Sequence, residues 1–170
     1  MISLKLKIRK KNIAIFLLFS LMFILRIFIF SPVSVSGVSM EPTLYSGEKG
    51  IILKNAPVNR NDVICFTGDK ETNELFIKRV IGVAGDLIRI EHNKIFVNDS
   101  ELDEPYLIAY PANSNFNLVD LSNESFIVPE KMIFVLGDNR IKSFDSREFG
   151  FVSEKAIIGK LVISFGLRNN

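Results

Sequence analysis

The sequence predicts a mostly β domain, an antiparallel sheet or partly closed barrel, carried behind one N-terminal transmembrane helix. Three observations lead there. The chain has 170 residues and is 48% hydrophobic, and much of that excess is gathered in one run near the start. The remainder is a series of short apolar stretches of strand length, dominated by β-branched and aromatic residues and broken by turn residues. No later stretch shows a long helical period. A chain of this length holds one domain with a real core and little more.

Residues 1–12 are basic. Lys5, Lys7, Arg9, Lys10 and Lys11 stand there without an acid. The apolar run follows over 13–31: "IAIFLLFSLMFIL" is interrupted only by Ser20, and "IFIF" continues it after Arg26. Eighteen residues of helix cover about 27 Å, close to the hydrocarbon thickness of a bilayer. Arg26 lies near the end of the run, where a long side chain reaches the interface by snorkelling. A buried helix of a soluble core would show a polar face and no such arginine. A cleavable signal peptide shares the basic start, and Ser34-Val35-Ser36 has the form of a cleavage site. Its apolar core is shorter, about 7–15 residues, so an uncleaved anchor is expected. The basic flank then places the N-terminus in the cytoplasm and residues 32–170 outside.

The net charge of +2 conceals an asymmetry. All 19 acidic residues follow residue 31, against 15 of the 21 basic ones, so the outer portion carries −4. No basic stripe is present, and nucleic acid is not an expected partner. The early cations need only meet anionic lipid.

Strands are expected at 50–54, 62–66, 75–83, 87–91, 94–98, 126–129, 132–137 and 156–165. Residues 87–98 read as a hairpin turning at His92-Asn93. Residues 103–125, rich in Asn, Ser and Pro, read as a long loop or small insertion.

The chemistry is narrow. Cys65 is the one cysteine. It has no disulfide partner within the chain and reads as a small core residue. His92 is the one histidine, at an exposed turn, so a Ser-His-Asp triad is not available. No ligand cluster for a metal and no phosphate-binding loop is legible, and no cofactor is expected. Ser46-Gly47-Glu48-Lys49 fits S-x-x-K but lacks the companion motifs of the β-lactamase type.

The remaining way to activate a serine is a lysine. Its ordinary pKa of about 10.4 must first fall through desolvation. Lys78 lies inside the apolar strand "LFIKRVIGV", sharing a face with Phe76 and Val80. The strand by itself favours a lysine that buries its stem and keeps its ammonium in water. Ser39 sits in "SGVSMEPTL", just beyond the apolar run. A third stretch, "GDNRIKSFDSREFG" (137–150), holds alternating charges. It reads either as a solvated ion-pair cluster or as a brace behind a site.

Taken together these stretches resemble a bacterial type I signal peptidase, of the compact Gram-positive kind. "SGVSMEPTL" resembles the family's nucleophile motif, "IKRVIGVAGD" its lysine motif and "GDNRIKSFDSREFGFV" its third motif, in the family's order. The resemblance runs from about residue 5 to 165. It implies a signal-peptidase-like β fold and a serine endopeptidase that cuts exported preproteins after small-x-small sites. Ser39 would be the nucleophile and Lys78 the general base. It also implies that Ser143 orients the lysine, that Asp145 and Arg147 form a buried pair, and that Asp138 supports the loop. Gly37 replaces a serine that in some relatives completes the oxyanion hole. Val35, Met40 and Ile77 lie beside the matched positions and are expected to wall the substrate pocket. The implied place is a bacterial plasma membrane, crossed once, with the catalytic domain on the outer face. A self-cleaving repressor shares the Ser-Lys pair but needs a DNA-binding segment. An anchored binding protein that has lost activity is the other reading.

Overall fold

The computed structural model describes residues 2–68, 74–91, 94–107 and 125–166. Helix α1 (Ile2–Phe28) opens the chain. Its segment Lys11–Phe28 has a mean hydropathy of 2.0, with none of it buried against the rest of the chain, and is long and apolar enough to cross a membrane. The helix stops at Phe28, three residues before the end of the apolar run. Phe30–Ser34 instead forms strand β1, paired in antiparallel register with β2 (Lys49–Leu53) from Phe30↔Leu53 to Ser34↔Lys49. Pro32 is tolerated because β1 is an edge strand. Orphan carbonyls at the helix end find donors from β2's extension. The Lys54 backbone N–H donates to the Ile29 carbonyl at 2.8 Å, and Lys54 Nζ donates to the Ile27 carbonyl at 3.0 Å. These bonds tie the end of the anchor to the sheet.

The apolar stretches that follow become β3 (Val63–Thr67), β4 (Leu75–Val83), β5 (Leu87–Glu91) and β6 (Lys94–Val97). Then come β7 (Ser100–Glu101), β8 (Ser125–Ile127), β9 (Met132–Leu136), the short helix α2 (Ser146–Phe149), β10 (Val152–Ser153) and β11 (Ile157–Phe165). Among the described residues they build two antiparallel sheets. One has the order β1-β2-β11-β3-β4-β9-β10, the other β7-β6-β5-β8. The long return of β11 between β2 and β3 curls the first sheet into a half-barrel. The β5–β6 hairpin forms as expected, closing from Glu91↔Lys94. Its tip, His92-Asn93, lies outside the described residues, as do 108–124 of the polar stretch.

Strand β4 is buried along most of its length, and a register shift explains how it serves two cores. Pairing with β9 slips between Val80 and Gly82, a bulge that turns Ile81 to the opposite side. Val80 then packs with Ile64, Phe66, Ile133 and Val135. Ile81 packs with Ile88, Ile90, Ile95, Phe134 and Leu136, joining the two sheets. Burial along β4 begins at Lys78 and continues through Gly82.

Candidate active site

Residues 35–48 link β1 to β2 as a closed loop. The Val35 N–H donates to the Glu48 carbonyl at 2.8 Å and the Gly47 N–H to the Val35 carbonyl at 3.0 Å. Gly37 turns the chain at φ +83°, a backbone region that a side chain would strain. Val35, Met40 and Leu44 are buried and pack on Ile77, Val63 and Leu161. This apolar plug seats the loop beside β4. The three expected pocket residues, Val35, Met40 and Ile77, therefore share one cluster, with Val35 and Met40 nearly closed to solvent.

The loop presents Ser39, half-buried, to β4. Lys78 Nζ donates to Ser39 Oγ at 2.7 Å. Lys78 is 3% exposed and faces Ile64 across the β3–β4 ladder. Burial drives its pKa down from the ordinary 10.5 to about 8. Asp145 works against that shift and Arg147 with it. Ser39 and Lys78, 39 residues apart in sequence, are brought into contact by the antiparallel return of β4.

The segment after β9 supports this pair. Asp145 is fully buried and caps α2. It accepts from Arg147 Nε at 2.7 Å, Arg147 Nη2 at 2.9 Å and the Gly137 N–H at 2.9 Å. Glu148 reaches back to the Asp145 N–H at 3.0 Å, completing a capping box. Ser146 Oγ accepts from the Val135 N–H at 3.0 Å, which fixes α2 under β9. The Asn139 N–H donates to the Ser39 carbonyl at 2.9 Å, so this loop grips the backbone of Ser39 itself. Gly137 is required at the crossing. A Cβ there would lie 2.2 Å from Ser143 Oγ and 2.5 Å from the Ser39 carbonyl oxygen. Ser143 is thus placed within the site. Its Oγ is buried without a hydrogen-bond partner, so a bond to Lys78 is not formed in this structure.

Asp138 is held by Arg79 through Nε at 2.8 Å and Nη2 at 2.7 Å, and it accepts from the Thr43 hydroxyl. Arg79 Nη1 also donates to the Asn61 carbonyl at 2.8 Å, and its guanidinium lies 3.9 Å from the Tyr106 ring centroid. Tyr106 Oη donates to Glu104 at 2.8 Å. Glu104 pairs with the buried Arg140, whose Nε donates to the Gly137 carbonyl at 3.0 Å. Sequence reasoning missed Thr43, Arg79, Glu104, Tyr106 and Gly137 here. Glu104 and Tyr106 stand at the head of a polar stretch, and no spacing ties them to residue 140. Ile141 and Phe144 are exposed. Among the described residues no acidic, His and Cys cluster suits a metal ion.

Chemically, a hydroxyl 2.7 Å from an amine of pKa about 8 has the geometry that a nucleophile and its base require. Such a pair, on a half-barrel behind a helix long and apolar enough to cross a membrane, fits one class: a hydrolase acting on acyl groups. The comparisons agree. Residues 8–165 match the family model "Signal peptidase, peptidase S26". Signal peptidase I of Bacillus caldolyticus is 42% identical over 148 residues, covering 81% of this chain and 80% of the relative. Signal peptidase IB of Staphylococcus aureus is 35% identical, covering 90% of this chain and 86% of the relative. A crystal structure of a signal peptidase I from Enterococcus faecalis V583 superposes with a TM-score of 0.55 at 31% identity, covering 63% of this chain and 98% of that one. The chain belongs to the signal peptidase family, peptidase S26, as a type I enzyme that removes signal peptides from exported preproteins.

Proposed function

We propose that Ser39 and Lys78 carry the reaction. Neutral Lys78 takes the proton of Ser39 Oγ as the oxygen attacks the scissile carbonyl. The resulting oxyanion is held by the backbone N–H of Ser39. Collapse breaks the peptide bond, and Lys78 passes its proton to the leaving amine, the new N-terminus of the mature protein. The signal peptide's carbonyl stays esterified to Ser39. Lys78 then takes a proton from water, whose oxygen attacks the ester. Ser39 leaves with a proton, and the signal peptide departs with a free carboxylate. The observation that carries this reading is the 2.7 Å contact between Lys78 Nζ and Ser39 Oγ, made by a lysine whose burial lowers its pKa to about 8.

Asp145 and Arg147 act behind Lys78, and Asp138 acts through Arg79 on the loop that grips Ser39. Ser143 lies against Gly137 beside the Ser39 carbonyl, positioned to take a hydrogen bond from a group entering the site. Gly37 sets the turn that aims Ser39. Ile77, half-buried, walls a shallow pocket with Val35 and Met40 packed behind it, admitting small side chains and rejecting large ones by clash, hence the small-x-small requirement. The basic N-terminus lies in the cytoplasm of a bacterial cell and the catalytic domain on the outer face, anchored once in the plasma membrane. Substrate and enzyme then meet within the plane of the bilayer, at high effective concentration.

The test uses the full-length chain in detergent with a small-x-small preprotein. Wild type releases mature product, whereas Ser39→Ala, Lys78→Ala and Lys78→Arg fold but do not, since arginine cannot act as a base. Activity retained in Lys78→Arg refutes the pair. Equal inactivity of wild type and variants on several preproteins favours a binding protein that has lost catalysis.

A further inference from the structure

A groove lies between the last two turns of α1 and the β1–β2–β11 edge of the large sheet. Its volume is about 930 Å³, within the roughly 300–1,000 Å³ of small-molecule clefts. Met22, Phe30, Ile163 and Phe165 supply apolar wall, and Phe30, Ile163 and Phe165 remain substantially exposed. Arg26 and Lys49 are its only charged lining, with no acid among the lining residues. Neither cation belongs to the ion pairs formed among the described residues. The position of Lys49 is fixed by sheet register: it pairs with Ser34 of β1 on one side and Phe165 of β11 on the other.

Depth follows from the anchor. The membrane-crossing segment ends at Phe28, and Lys54 pins that end to the sheet. The groove therefore straddles the boundary between hydrocarbon and headgroups. Its apolar wall continues the lipid-facing surface of α1, and its two cations stand at that boundary. A purely apolar occupant gains nothing from a guanidinium and an ammonium. An acidic headgroup on an acyl chain satisfies both halves.

We propose that this groove binds one anionic phospholipid, its phosphate between Arg26 and Lys49 and its acyl chain along Met22, Phe30, Ile163 and Phe165. The site rests only on the membrane anchor, and it holds whether or not Ser39 and Lys78 carry the reaction. Its effect is to fix the tilt of the catalytic domain on its anchor, because the lipid contacts both.

The test reads lipid binding, not cleavage. Full-length wild type and an Arg26→Gln/Lys49→Gln double variant are taken from micelles holding equal phosphatidylglycerol and phosphatidylcholine, and retained lipid is counted by native mass spectrometry. Each cation near an anionic headgroup contributes about 5-fold, so the double variant loses roughly 30-fold of the preference for phosphatidylglycerol. The N-terminal cations are common to both chains and cancel. Arg26→Lys keeps most of the preference, and unchanged melting shows that the double variant is folded. A photo-cross-linking residue at position 163 labels lipid. Unaltered preference in the double variant overturns the proposal. So does cross-linking from position 163 to a preprotein's signal segment in place of lipid, which would make the groove a substrate site.

Discussion

Replacing Gly137 with alanine tests how finely the loop after β9 places Ser39, the proposed nucleophile. The added methyl would meet the Ser39 carbonyl oxygen at 2.5 Å and Ser143 Cβ at 2.5 Å. Ordinary contact begins near 3.4 Å, so one of these groups must retreat by roughly 1 Å, and a displacement of that size in a reacting group costs about 100-fold in rate. The Ser39 carbonyl is also the acceptor of the Asn139 N–H, and the Gly137 N–H is bound by Asp145, so backbone on both sides resists moving. Overpacking of this kind costs about 1–3 kcal/mol. The expected result is a kcat on a preprotein lowered by about two orders of magnitude with a smaller change in KM, and a modest fall in melting temperature. Activity within threefold of wild type at unchanged stability would refute this account of the crossing.

Other outcomes follow from the same contacts. Lys78→Met removes activity yet stabilises the fold. The folded pKa of about 8 lies below the ordinary 10.5, so burying the ammonium costs stability in full below pH 8. That cost fades between pH 8 and 10.5 and is gone above. Denaturant melts at pH 7 should show a gain of roughly 2–3 kcal/mol, shrinking to none at high pH; a pH-independent difference contradicts it. Glu104→Ala strands the buried Arg140 guanidinium and should cost about 3–5 kcal/mol in the same melts, although residue 104 lies far along the chain from Ser39 and Lys78. A cost below 1 kcal/mol would remove the network from the account.

Much of the fold was legible in the sequence because it follows from periodicity. The strand runs 75–83 and 87–91 are the observed β4 and β5, since apolar strands with clear turn flanks have one good reading. Ser39 and Lys78 were singled out by the resemblance of their motifs to the signal peptidase family, since the strand around Lys78 by itself favoured an ammonium kept in water, whereas the side chain is 3% exposed. What stayed hidden depends on tertiary approach. The strand Phe30–Ser34 was absorbed into the apolar run, because hydropathy does not distinguish the end of a membrane helix from an apolar edge strand. The bulge at Ile81 breaks the alternation only because β9 slips past it. Glu104 and Tyr106 are ordinary polar residues until Arg140 and Arg79 arrive from elsewhere in the chain. Gly137 reads as the end of a strand, and its need for no Cβ appears only where three backbone segments cross.

The most direct measurement of the central claim is the rate at which a serine-reactive acylating inhibitor labels Ser39 as a function of pH, followed by intact-mass spectrometry on the full-length chain. If neutral Lys78 is the base, the rate rises with unit slope and levels off with an apparent pKa of about 8, and Lys78→Arg shows no labelling across the range. A rate that is flat from pH 6 to 9, or that survives in Lys78→Arg, would mean that Ser39 is activated by something other than Lys78.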